Sequence, residues 1–123
     1  MAKFIKFIFF ILLFFILLNE GNSSCFQCTS FAICHVTVQQ IENRPGSAEW
    51  VVQITNPYGC SQKNIILSCP GFKPRFKPNP SLITYDANHI YVQPTIPAYG
   101  SMSFVYLSVP KFNMVPLSST VCC

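Results

Sequence analysis

The sequence predicts an all-β fold: a single small, disulfide-linked β-sandwich of about seven to eight short antiparallel strands, behind an N-terminal signal helix. Three observations predict it. All ten prolines fall after residue 23, where they interrupt every stretch long enough for a helix. Between them lie short runs in which apolar and polar residues alternate. Turn-forming residues separate those runs, and no alternation of strand and helix suggests a parallel sheet.

The N-terminal segment reads as an export signal. Of the 62 apolar residues in the 123-residue chain, 16 lie in positions 1–23. Lys3 and Lys6 give a positive start, and Phe7 to Leu18 is an unbroken apolar run of 12 residues. As a helix that run spans roughly 18 Å, short of a bilayer core of about 30 Å. A small polar exit, Asn19 to Ser24, follows. These are the three parts of a secretory signal peptide, assigned to 1–23. A Cys-containing extension is expected over 24–33 and the sandwich domain over 34–123. No second apolar stretch can span a membrane, so the expectation is a secreted, extracellular protein without stable membrane insertion after cleavage. The sequon Asn22-Ser23-Ser24 lies at the expected cut, and Pro80 excludes Asn79-Pro80-Ser81 as a second one.

The strands follow in order. His35–Ile41 places Val36 and Val38 on one face. Ala48–Thr55 places Trp50, Val52 and Ile54 on one face, with Trp50 expected in the core rather than on a sugar-binding platform. Lys63–Cys69 turns Ile65, Leu67 and Cys69 inward. Leu82–Tyr85 and His89–Gln93 are shorter, and Ser101–Leu107 aligns Met102, Phe104 and Tyr106. Lys111–Val115 and Ser119–Cys122 close the chain. Pro45-Gly46, Asn56-Pro57, Pro70-Gly71, Asn79-Pro80, Asp86-Ala87-Asn88 and Tyr99-Gly100 supply turns.

Seven cysteines in a secreted chain read as a disulfide framework. Cys34, Cys60, Cys69, Cys122, Cys25 and Cys28 are the bridge candidates, and Cys123 is the candidate for a free or intermolecular thiol. Cys25-x-x-Cys28 has zinc-ligand spacing but no second such pair, so no metal site is expected.

Beyond residue 23 there are six cations (Arg44, Lys63, Lys73, Arg75, Lys77, Lys111) and three acids (Glu42, Glu49, Asp86), a net +3. That mild charge and the expected secretion exclude a nucleic-acid partner. The three acids are scattered, His35 and His89 stand alone, and no nucleophile elbow, phosphate loop or metalloprotease helix occurs. No enzyme, catalytic residue or cofactor is expected. The sharpest feature is Phe72-Lys73-Pro74-Arg75-Phe76-Lys77-Pro78. In an extended chain Lys73, Arg75 and Lys77 point one way and Phe72, Pro74, Phe76 and Pro78 the other. The segment reads as a ridge docking on an acidic partner, with Phe76 as anchor, or as edge protection against unwanted strand pairing. An acidic cell-wall polysaccharide is the second partner class that would suit it.

The order of residues resembles a family. Cys34 leads into a polar, β-branched strand. Glu49-Trp50-Val51-Val52-Gln53-Ile54-Thr55-Asn56 and a turn ending at Cys60 follow, then Ser61 to Cys69 and Gly71-Phe72. Phe104-Val105-Tyr106 and Ser119-Thr120-Val121-Cys122 complete the series. This resembles the tapetum-determinant-like family of small secreted cysteine-rich plant proteins, over about Cys34 to Cys122. The resemblance implies an apoplastic signalling ligand of a leucine-rich-repeat receptor kinase ectodomain in cell fate or reproductive development. The alternative is an extracellular carbohydrate-binding module, with Tyr85, Tyr91 and Tyr99 as its aromatic candidates.

The chain departs from that family's six-cysteine pattern: Tyr58 and Ile90 stand at two of its cysteine positions. If those two are bridged in relatives, their joint loss leaves no orphan thiol. Cys34, Cys60, Cys69 and Cys122 remain as the family-like set. With 62–69 as one strand, Cys60 and Cys69 lie roughly 25–30 Å apart and cannot join. A simple meander favours Cys34–Cys60 with Cys69–Cys122, while Cys34–Cys69 with Cys60–Cys122 stays open. Cys25–Cys28 would close a local loop.

Overall fold

The computed structural model describes residues 24–29 and 34–123, and the expected signal peptide lies outside the described residues. Eight strands form the fold: β1 (Cys25–Thr29), β2 (Thr37–Glu42), β3 (Glu49–Thr55), β4 (Ser61–Ser68), β5 (Ile83–Tyr85), β6 (His89–Val92), β7 (Ser101–Leu107) and β8 (Val115–Cys122). A five-stranded sheet has the order β1-β8-β4-β6-β5, and a three-stranded sheet has the order β2-β3-β7. Every strand pairing is antiparallel. The described chain contains no helix. The all-β sandwich read from the sequence is the fold observed.

The core lies between the sheets, where the period-2 pattern places it. Val52 and Ile54 of β3 and Phe104 and Tyr106 of β7 are buried from one side. Ile65 and Leu67 of β4, Ile83 of β5 and Ile90 and Val92 of β6 meet them from the other. Trp50 is half-buried against this core and donates its indole N–H to the Ser108 carbonyl at 3.1 Å.

Three elements differ from the alternation. In β4 both Gln62 and Ile65 are buried, although three residues apart. The ladder to β8 slips between Lys63 and Ile66, and Asn64 has a φ of 50°. This β-bulge resets the side-chain phase, so both residues face inward. Lys111–Val115 is not a strand. β8 instead runs unbroken from Val115 through Pro116 to Cys122. Proline is tolerated there because β1 pairs with β8 only from Ser118 onward, leaving Pro116 without a neighbour on that side. Residues 24–33, read as an extension, contribute β1, whose five residues pair with Ser118 to Cys122.

The cysteine assignments are corrected by the same register. The bridges are Cys25–Cys122, Cys28–Cys34 and Cys60–Cys123, and Cys69 is the free, buried thiol. Cys25 is the cross-strand partner of Cys122, with Cα atoms 4.2 Å apart. Ser61 faces Cys122 across β4 and β8, so the next rung brings Cys60 to Cys123, at 4.7 Å. Cys123 is therefore bonded, not the leftover thiol. Cys69 lies beyond the other end of β4, a strand length from Cys60 and Cys122, and cannot reach either. Cys28 bridges to Cys34 rather than to Cys25. The orphan thiol shares its core cluster with Ile90. Since Leu67 faces Ile90 in the ladder, Cys69 and Ile90 lie on the same sheet face.

Candidate functional site

The basic segment begins at a buried anchor. Pro70-Gly71 turns the chain, with Gly71 at φ 73°, a left-handed conformation that glycine adopts without strain. Phe72 then enters the core, where its ring meets Tyr85, Tyr106 and Phe112 edge-on at 5.1–5.6 Å. Its amide donates to the Cys69 and Ala87 carbonyls at 3.2 and 3.1 Å. Tyr106 ties the same pole together. Its hydroxyl donates to Gln40 Oε1 and accepts from the Phe112 amide at 3.0 Å, and Gln40 Nε2 donates to the Phe112 carbonyl at 2.7 Å.

From that anchor the chain runs outward past the end of β7. The Arg75 amide donates to the Leu107 carbonyl at 2.9 Å. Lys73, Arg75 and Lys77 are exposed, while Pro74 and Pro78 are half-buried, as the alternation predicts. Phe76 breaks the pattern: it lies at a bend and is 65% exposed. The four residues singled out from the sequence thus come together as one ridge, with an uncovered ring among three cations. Among the described residues no carboxylate lies within ion-pair distance of those cations.

A groove of about 410 Å³ separates Phe76, Lys77 and Pro78 from β7 residues Ser103 to Leu107. A shallower depression of about 360 Å³ lies on the other side, between Lys73 to Arg75 and Leu107 to Val109. The groove could not be read from the sequence, because it depends on the non-local crossing of 73–78 over β7.

The remaining candidates are placed elsewhere. Asp86 occupies the β5–β6 turn, where one oxygen accepts from the Asn88 and His89 amides, both at 2.8 Å, and the other from the Tyr91 hydroxyl at 2.7 Å. These bonds, the Asn88 amide foremost, lower its pKa to about 2. Glu42 ends β2 and Glu49 opens β3, where Glu49 accepts from the Asn43 side chain at 2.9 Å. Glu42 and Glu49 thus flank one turn, where they accept from Gly46 and Asn43, and Asp86 lies in another. Burial raises the Cys69 thiol pKa to about 11, so the thiol stays neutral. Among the described residues no group of three His, Cys, Asp or Glu side chains could hold a metal ion, and both cysteines of Cys25-x-x-Cys28 lie in disulfides. Tyr85 packs on Phe72, Tyr91 is held by Asp86, and Tyr99 is exposed apart from both, so the tyrosines form no common platform.

The sequence reading missed a buried polar cluster at the opposite, cysteine-bearing pole. Gln62 Nε2 donates to the Cys34 carbonyl at 2.6 Å and to Asn56 Oδ1 at 2.7 Å, and Ser119 Oγ donates to Gln62 Oε1 at 2.6 Å. Asn56 Nδ2 donates to the carbonyls of Cys60, Ile96 and Pro97. Every buried side-chain polar atom in the described chain has a partner.

The family model described as Tapetum determinant 1, C-terminal, matches residues 32–123. No curated protein and no solved structure matches the chain.

Proposed function

Since the chain belongs to the tapetum determinant 1 family, we propose that it is a secreted ligand recognised by a leucine-rich-repeat receptor kinase ectodomain in plant reproductive development. Membership points to signalling rather than to an enzyme. Three disulfides in a small domain accord with an oxidising, extracellular destination. One observation carries the reading of the contact surface: Lys73, Arg75 and Lys77 stand exposed without carboxylate partners around the exposed Phe76 ring. Unpaired cations steer an acidic partner, and a desolvated aromatic ring anchors it.

The test is charge reversal. Lys73→Glu, Arg75→Glu and Lys77→Glu together are expected to lower capture by receptor kinase ectodomains at least about tenfold. The fold should be unchanged, because none of the three side chains is buried. Unchanged capture by a folded triple variant would remove the ridge from the contact. Binding of the wild type to insoluble acidic polysaccharide instead of ectodomains would favour the carbohydrate reading.

A further inference from the structure

The backbone of β7 has a side that the fold leaves open. β7 is an edge of the three-stranded sheet and pairs only with β3. Two hydrogen bonds flanking the strand fix which residues face β3. At one end the Asn56 amide donates to the Gly100 carbonyl at 2.8 Å; at the other the Ser108 amide donates to the Ala48 carbonyl at 2.9 Å. In an antiparallel strand the N–H and C=O of one residue point to the same side, and the side alternates. Met102, Phe104 and Tyr106 therefore bond to β3, while Ser101, Ser103, Val105 and Leu107 direct their backbone groups outward. Leu107 confirms the phase, because its carbonyl accepts from the Arg75 amide on the outer side.

That single bond is all the cover the ridge gives. Past Arg75 the chain turns away, and the groove opens between Phe76–Pro78 and the Ser103–Val105 edge. Edge protection, the alternative reading of the lysines and prolines, extends to one end of the strand only. The groove wall offers the Phe76 ring, Lys77 and Pro78. Lys73 and Arg75 line the neighbouring depression past Leu107, and no acid lines either one. The other edge of this sheet, β2, has no cation on the strand and ends at Glu42.

We infer that the open edge of β7 takes up an extended acidic peptide segment, supplied by the receptor, as a fourth strand of the β2-β3-β7 sheet. The inference rests on the receptor reading above and gives that contact its mode. The outward N–H and C=O groups of Ser103 and Val105 supply the main-chain ladder. Phe76 covers one face of the added strand; Lys77 beside the groove, with Lys73 and Arg75 at its Leu107 end, selects carboxylate side chains.

The probe is an N-acetylated, C-amidated hexapeptide alternating glutamate and valine, with the lysine–valine hexapeptide as control. Saturating acidic peptide is expected to slow amide hydrogen exchange at Ser103 and Val105 at least about tenfold, while the basic peptide leaves both unchanged. Val105→Pro removes one outward donor and no bond to β3, a substitution an edge strand tolerates. It is expected to weaken peptide binding about tenfold. Ser103→Pro tests the same ladder if Val105→Pro fails to fold. Equal protection by both peptides, full binding to a folded proline variant, or a concentration-dependent dimer protecting the same amides would overturn the proposal. Ectodomain capture separates the two readings. Capture lost on charge reversal but kept in Val105→Pro retains the ridge and refutes the edge. Peptide protection at Ser103 and Val105 without ectodomain capture retains the edge and refutes the receptor.

Discussion

At the scale of single residues, two groups that sequence reasoning passed over or misassigned decide how the interior is organised. Asn56 is fully buried, and its amide joins the Cys60, Ile96 and Pro97 carbonyls to Gln62 and hence to Ser119. Truncation leaves several buried partners unsatisfied at once. Asn56→Ala should cost about 2–4 kcal/mol by urea unfolding, several times the effect of the exposed Ser81→Ala. A shift no larger than that of Ser81→Ala would show that the cluster contributes nothing. Cys69 is the second. Burial lifts its folded-state pKa from 9.0 to about 11, so the folded chain holds a proton that the unfolded chain releases. Its contribution to stability is complete below pH 9 and is lost as pH rises towards 11. Iodoacetamide should therefore leave the native chain unlabelled at pH 8, and label one thiol once urea unfolds it. Rapid labelling of the folded chain at that pH would contradict a buried, neutral thiol.

At the scale of elements, what was legible in the sequence is what depends on local alternation. Val52 and Ile54, Ile65 and Leu67, and Phe104 and Tyr106 each announce an inward face two residues apart, and their strands form where expected. The elements that were not legible depend on neighbours distant in sequence. Pro116 reads as a strand breaker until β1 is seen to stop at Ser118. Gln62 reads as an outward residue until the Asn64 bulge reverses its phase. β1 has no alternating apolar face of its own: Phe26 is exposed and only Cys28 is buried in it. It is a strand because β8 offers a partner and Cys25 and Cys28 fasten it. The ridge was half legible. Its three cations and Phe76 stood out by composition, whereas the groove beside it depends on Arg75 meeting Leu107, 32 positions on. The cysteine pairing failed for the same reason: β4 lies beside β8 but antiparallel to it, so its Ser61 end and not its Cys69 end meets Cys122, and β1 brings Cys25 there from the other side.

At the scale of the whole molecule, covalent and non-covalent stabilisation occupy opposite ends. Cys25–Cys122 and Cys60–Cys123 close at the pole where Ser61 faces Cys122, and Cys28 and Cys34 cluster with Val121. The ridge sits at the other pole, over Phe72, Tyr106 and Phe112, where no disulfide lies. The bridges span very different loops, with separations of 97, 63 and 6 residues. Loop-closure entropy gives the two long bridges roughly 4–5 kcal/mol each and the short one about 2. Taken together, their upper bound of about 12 kcal/mol is comparable with the whole stability of an ordinary domain, about 5–15 kcal/mol. Full reduction should therefore unfold the sandwich as a unit, aromatic pole included, although that pole contains no bridge. Cys28→Ala with Cys34→Ala should lose only about 2 kcal/mol and keep the ridge and its groove. Amide exchange at Val52, Leu67 and Phe104 checks both outcomes. Protection surviving full reduction would mean that the Phe72 cluster holds the sheets together without covalent help, and that the termini alone depend on the disulfides.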